Sequence, residues 1–271
     1  MTQLLPLVLI LALAGGIAGI ISGLLGVGGG IILVPAFFYA FTSLGYQPDQ
    51  LMQICVATST GTIIFTSLRS VMAHHKRGAV SFSLIRSWGP FIAIGSILGV
   101  FAAASLRSQE LQFVFGCIGV LIGLYMLLGK KDWRLADQLP GRILSSLYAA
   151  IIGFFSALMG IGGGSFTVPL LSAYNVPPHK AVATSPGFGL MISIPAFIAF
   201  LATGWQITGK PPMTIGYVNL PAVVMIVATT MLTVPIGVKM AHALSPRQLR
   251  LVFACTILLL AGNMLRKAIM G

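Results

Sequence analysis

Carboxylates are almost missing from this chain. Asp49, Glu110, Asp132 and Asp137 are the only four in 271 residues, against 16 Lys and Arg, for a formal charge of +12. All four fall in expected loops or helix ends. No apolar segment therefore holds a carboxylate for the proton relay or sodium site that many coupled transporters place at mid-membrane. Charge of either sign is also scarce: 7% of residues are charged, against about 25% in an average soluble protein. With 57% hydrophobic residues, the chain cannot cover a water-facing surface, and a soluble fold is excluded. Cysteine is sparse, and Cys55, Cys117 and Cys255 show no CxxC or His spacing. Packing is their expected role, with Cys55 one helical turn before Thr58. No apolar segment contains a nucleophile beside a base, paired carboxylates or a metal-ligand cluster, so neither enzyme chemistry nor a metal or cofactor is expected. No Lys or Arg precedes the first apolar run, which argues against a cleaved signal peptide.

What the chain has instead is apolar runs of about 20 residues from end to end, each able to cross a hydrocarbon core of about 30 Å. The expectation is an all-α, multi-pass integral membrane protein with its cations held at the cytoplasmic face. The lipid bilayer is then its solvent, and no nucleic-acid partner is expected.

The string Leu24-Leu25-Gly26-Val27-Gly28-Gly29-Gly30-Ile31-Ile32-Leu33-Val34-Pro35 returns as Leu158-Met159-Gly160-Ile161-Gly162-Gly163-Gly164-Ser165-Phe166-Thr167-Val168-Pro169, 134 positions later. A glycine-rich break in an apolar segment is costly in lipid, because the backbone groups it frees need partners. Broken helices at matching places in two related halves point to the binding site of a secondary transporter.

Other landmarks repeat as well. Ala57-Thr58-Ser59 returns as Ala183-Thr184-Ser185 at an offset of 126. Gly78, Gly99, Leu106, Leu111, Phe115 and Cys117 return as Gly216, Gly237, Leu244, Leu249, Phe253 and Cys255 at an offset of 138. The expected organisation is a first transmembrane repeat over 1–129, a polar linker over 130–141 and a second repeat over 142–271. Segments are expected at 4–25, 31–45, 50–73, 82–106 and 111–128, then from 142 to the second break, and at 165–176, 179–203, 217–243 and 249–264. Gly15, Gly19 and Gly23 make a small-residue stripe suited to close helix packing in lipid.

The two segments after the breaks are too short to span a membrane, since 12 residues of helix rise only about 18 Å. If each break turns the chain back, each half has five segments and the halves are inverted. One side then carries 12 Lys and Arg and the other 4. A rival arrangement of eight crossings divides them 11 to 5. The first fits the positive-inside rule better, so ten segments in two inverted halves, with both termini outside, are expected.

Consecutive glycines leave their backbone N–H groups unshielded, and a helix starting just after them adds its positive end. Gly28, Gly29, Gly30, Gly162, Gly163 and Gly164 can therefore cradle an anion near mid-membrane, or simply permit a tight turn between packed helices. Pro35 and Pro169 are expected to bend the helices that follow. The hydroxyls of Thr58, Ser59, Thr184 and Ser185 can donate to an anion or bond back to their own helices. Ser165 and Thr167 make the second motif the more polar. The motif lacks the Lys-Ser/Thr of a phosphate-binding loop and the last glycine of a dinucleotide fingerprint. His74 and His75, followed by Lys76 and Arg77, are expected at the cytoplasmic interface, as simple interfacial residues or as proton-sensing or anion-recruiting groups. His179 and His242 also fall near helix ends. Trp88, Trp133 and Trp205 are expected as interfacial anchors.

The twin glycine breaks, each followed by Val-Pro, the paired Ala-Thr-Ser strings and the length resemble the sulfite exporter TauE/SafE family of bacterial membrane transporters over essentially the whole chain. The resemblance implies transport of a small sulfur-containing or organic anion such as sulfite, sulfoacetate or a related sulfonate. A secondary transporter working by alternating access is the leading expectation, with export favoured by an inside-negative potential. An anion channel with the glycine cradle as filter is the alternative, and a membrane-embedded enzyme or assembly factor is a distant third.

Overall fold

The computed structural model describes residues 4–26, 28–128, 135–243 and 245–270. Val27, Leu244 and the linker residues Lys130, Lys131, Asp132, Trp133 and Arg134 lie outside these. Within them the chain forms ten helices. The first half holds α1 (Leu4–Leu25), α2 (Gly30–Ser43), α3 (Leu51–His75), α4 (Phe82–Ser105) and α5 (Ser108–Leu128). The second holds α6 (Arg142–Met159), α7 (Gly164–Ala173), α8 (Pro178–Ala202), α9 (Leu220–Ala243) and α10 (Pro246–Met270). A short antiparallel hairpin, β1 (Thr214–Ile215) and β2 (Val218–Asn219), stands before α9.

Local chemistry accounts for most boundaries. Gly26 and Gly160 take positive φ, +67° and +63°, and end α1 and α6. Pro177 and Pro178 open α8, where a missing N–H costs nothing. Glu110 turns back to accept the Arg107 N–H at 2.8 Å, fixing the start of α5. Six helices, α3, α4, α5, α6, α8 and α9, are long and apolar enough to cross a membrane. With 14 and 10 residues, α2 and α7 rise only about 21 and 15 Å.

The helices pack by exchange between the halves: α1 lies along α9, α4 along α6 and α5 along α10, while α3 and α8 pair at the centre. Small residues make these contacts close, as association in lipid requires. Gly15, Gly19 and Gly23 of α1 rest on Thr229, Thr233 and Val234 of α9, as the stripe in the sequence led one to expect. Gly99 of α4 lies on the Phe154 carbonyl of α6, and Gly237 of α9 on the Ile20 carbonyl of α1. On α5, Gly116 and Gly119 admit Leu265 and Ala261 of α10. Large apolar side chains face outward instead, with Ile143 89% and Leu232 76% exposed. A water-facing surface would not carry such residues all round, whereas lipid accepts them.

Three expectations need correction. Trp88 is a core residue rather than an interfacial anchor: it is buried with its ring 5.8 Å from Phe188, because α4 turns that face toward α8. Trp205 is largely exposed just after α8. Cys255 is exposed on the outer face of α10 while Cys55 is fully buried, so packing describes Cys55 but not Cys255. The segment expected from 217 begins as a hairpin, since Gly216 at φ +56° turns the chain back before α9 starts.

Candidate functional site

The two glycine breaks meet inside the bundle. A β-carbon on Gly30 would overlap the Gly160 carbonyl oxygen and stand 2.8 Å from the Ile161 Cα, and one on Gly28 would stand 3.2 Å from the Gly162 Cα. Such backbone approach explains why glycine occupies these places. The breaks are alike at their first glycine and different afterwards. Gly28 and Gly29 keep positive φ, +77° and +78°, whereas Gly163 is helical at φ −58°. At the second break, the N–H groups of Phe166 and Thr167 and the Thr167 hydroxyl fold back onto the Gly163 carbonyl. Helix α7 therefore starts at Gly164, with Ser165 in its first turn. Pro35 and Pro169 lie inside α2 and α7, with helix on both sides.

The four hydroxyls picked out in the sequence all bond across the halves. Ser59 Oγ donates to the Gly160 carbonyl at 2.8 Å. Ser185 Oγ lies 3.0 Å from the Gly26 carbonyl and 2.9 Å from that of Val182. Thr58 Oγ1 accepts the Asn219 N–H at 3.0 Å, and Thr184 Oγ1 accepts the Ser81 N–H at 3.0 Å. Each bond has its counterpart: 59 and 185 stand 126 apart, 26 and 160 stand 134 apart, and 81 and 219 stand 138 apart. Ser59 thus spends its proton on the Gly160 carbonyl, while Ser185 has one proton for two carbonyls, that of Gly26 across the halves and that of Val182 on its own helix. A carbonyl at a helix end needs a partner, and the serine of the opposite half is the group within reach.

Ser165, expected at the second break, is buried without a partner among the described residues, and so are five hydroxyls missed in the sequence: Ser22, Ser67, Ser70, Ser156 and Ser193. Ser67 and Ser193 stand 126 apart on α3 and α8, and Ser22 and Ser156 stand 134 apart, four residues before Gly26 and Gly160. Those offsets were the available signal. Ser67 faces the second break through Gly189: a β-carbon there would stand 2.5 Å from Ser67 Oγ and 3.8 Å from the Gly163 nitrogen. Ser193 follows Gly189 by one turn of α8. The neighbour of Ser67, Thr66, donates to the Gly28 carbonyl at 3.1 Å and so faces the first break. The middle of α3 is wedged between both breaks.

Around this centre the described residues contain no group of three His, Cys, Asp or Glu placed to hold a metal ion. His74 and His75 differ from each other. His74 is buried, its Nε2 3.3 Å from the Gly23 carbonyl at the end of α1, whereas His75 is exposed with its ring 5.1 Å from that of Phe82. An interfacial role thus fits His75 only. What the centre offers chemically is uncharged: backbone N–H groups at helix starts and buried hydroxyls, donors suited to an anion that must later leave.

A family model described as sulfite exporter TauE/SafE matches residues 11–264. A probable membrane transporter protein of Haemophilus influenzae is 31% identical over 261 residues, covering 96% of this chain and 98% of that protein. One of Methanocaldococcus jannaschii is 30% identical over 258 residues, 93% and 91% of the two chains. One of Bacillus subtilis is 29% identical over 218 residues, 72% and 78%. No solved structure matches this chain.

Proposed function

This chain belongs to the sulfite exporter TauE/SafE family and is a multi-pass membrane transporter, and from that premise we propose that it exports a small sulfur-containing or organic anion, such as sulfite or a sulfonate, by alternating access. The two halves are inverted repeats, and the anion binds where their glycine breaks meet. One observation carries the reading: two breaks in contact at the buried centre, beside hydroxyls that have no partner among the described residues and sit at repeat-related positions. The exchanged packing of α1 on α9 and α6 on α4 also supports the repeat.

In this mechanism the roles divide. Backbone N–H groups of Gly28–Gly30 and Gly162–Gly164 and the starts of α2 and α7 attract the negative charge. Ser67, Ser193 and Ser165 donate to its oxygens. Ser59, Ser185, Thr58 and Thr184 latch one half to the other, and rocking breaks their bonds. Each bond is worth about 0.5–1.5 kcal/mol net, so four together set a gap of about 2–6 kcal/mol, a range a bound ligand can overcome. An inside-negative potential drives an anion outward by about 2.3 kcal/mol per charge per 100 mV, so export needs no coupled ion, in keeping with the absence of carboxylates from the centre.

The test is efflux from liposomes holding the purified protein, with sulfite, sulfoacetate, taurine, sulfate, acetate and chloride inside. Saturable efflux of a sulfur anion, accelerated by the same anion outside, is the expected result. Non-saturating flux without counter-transport would mean a channel, and no flux of any of these anions would remove the substrate assignment.

A further inference from the structure

A second site lies away from the breaks. An open cavity of about 680 Å³ lies at the end of the bundle where α2 finishes and α3 and α5 begin, bordered by the last turns of α10. Its polar lining includes Thr42, Ser108, Gln109, Gln112, Arg266 and Lys267, and no carboxylate borders it among the described residues. The nearby Glu110 is already engaged with the Arg107 N–H.

The two cations are held in place by neutral groups. Lys267 Nζ lies 4.1 Å from the Tyr39 ring centroid and 5.6 Å from that of Phe38, a cation–π arrangement that leaves its charge uncompensated. Arg266 Nη2 donates to Asn263 Oδ1 at 3.1 Å, and Asn263 Nδ2 donates to the Tyr39 hydroxyl at 2.6 Å. Asn263 and Tyr39 thus tie the guanidinium to the same α2 ring that carries the ammonium. Carbonyls of α10 that would oppose an anion are covered: Gln109 Nε2 donates to Ala268 at 2.8 Å and Gln112 Nε2 to Met264 at 3.3 Å. The positive ends of α3 and α5 begin at Leu51 and Ser108, both on the cavity wall. The two lining cations and the first turns of α3 and α5 therefore favour a negative ligand, against the negative ends of α2 and α10 and the exposed Asp49 in the loop between Pro48 and Leu51.

Its size says which kind. Cavities of about 300–1,000 Å³ hold molecules with many heavy atoms, so a bare inorganic anion leaves most of this one unfilled, including the wall of Phe38, Leu51 and Met270. We propose that this cavity binds an oxyanion head carried on an organic body, with the head on Arg266 and Lys267. A phospholipid headgroup and a soluble organic sulfonate share that chemistry. The Arg266 variants, which leave Ser67 and Ser193 untouched, separate this site from the centre.

The experiment uses the purified full-length protein in detergent. Phosphatidylglycerol and sulfoacetate are each titrated against thermal stability, with phosphatidylcholine and chloride at equal ionic strength as controls. Saturable stabilisation by phosphatidylglycerol assigns a lipid, and by sulfoacetate a soluble anion. Either effect should weaken about tenfold or more in apparent Kd in Arg266→Gln and in Arg266→Gln/Lys267→Met and survive in Lys267→Arg. Arg266 is exposed, so the single variant keeps the test open if the double variant does not fold. An unchanged Kd in Arg266→Gln, or no saturable effect of either probe beyond its control, overturns the proposal.

Discussion

Replacing Ser67 and Ser193 by alanine separates a ligand-binding hydroxyl from a structural one. Each Oγ is buried with no hydrogen-bond partner among the described residues, and such a group costs about 1–3 kcal/mol of stability. Removing it should leave the ligand-free protein as stable or raise its melting temperature by about 2–4 °C per kcal/mol gained. If the same hydroxyl donates to a bound anion, its loss removes a charge-assisted bond of about 1.5–3 kcal/mol, or about ten- to a hundredfold in affinity for each serine. The two effects have opposite signs. Thermal stability is measured first without ligand and then in titrations with sulfite and sulfoacetate, alongside efflux from liposomes. The expected outcome is equal or higher stability without ligand, a right-shifted titration and slowed efflux. Wild-type titration and efflux in the double variant would refute the assignment. So would a large loss of stability without ligand, because it would mean that the hydroxyls are bonded within the fold.

The latch serines should behave the other way. Ser59→Ala strips the Gly160 carbonyl of a donor and should cost about 1–3 kcal/mol, read as a lower melting temperature in the ligand-free protein, and Ser185→Ala should cost less, because its one proton is divided between the Gly26 and Val182 carbonyls. Gly30→Ala places a methyl group on the Gly160 carbonyl; little monodisperse protein should elute in size-exclusion chromatography. Gly163→Ala sets a β-carbon 2.9 Å from Phe188 Cβ, which requires a small shift, so folded protein with reduced efflux is expected. Gly163→Leu would drive further into Ile192, whose Cδ1 already stands 3.2 Å from that β-carbon, and would test packing as much as the cradle.

Much of the architecture was legible because lipid enforces simple rules. Runs of apolar residues had to be helices, and the ends of those runs fell within a few residues of the ends of α1, α3, α4 and α8. The start of α9 was less legible: a two-residue hairpin in an apolar run carries little signal beyond Gly216. The outward turn of Cys255 and the inward turn of Trp88 were hidden because a helix in lipid is apolar on both faces, and periodicity fades. The twin breaks announced a centre, but their composition did not say what each hydroxyl touches. Ser59 and Ser67 look equivalent in a string of letters; one spends its proton on Gly160 and the other has no partner among the described residues.

By itself, then, the amino-acid order determined that this is a helical membrane protein, where its helices break, and which residues correspond between the matching strings, since burial in lipid and backbone satisfaction act locally along the chain. Which breaks touch, which serine bonds across the halves and which has no partner among the described residues, and how Arg266 and Lys267 are drawn to α2 beside the first turns of α3 and α5 were decided only by tertiary structure. Those are contacts between residues as many as 224 positions apart, as Asn263 is from Tyr39, and helix packing alone brings them within hydrogen-bonding distance.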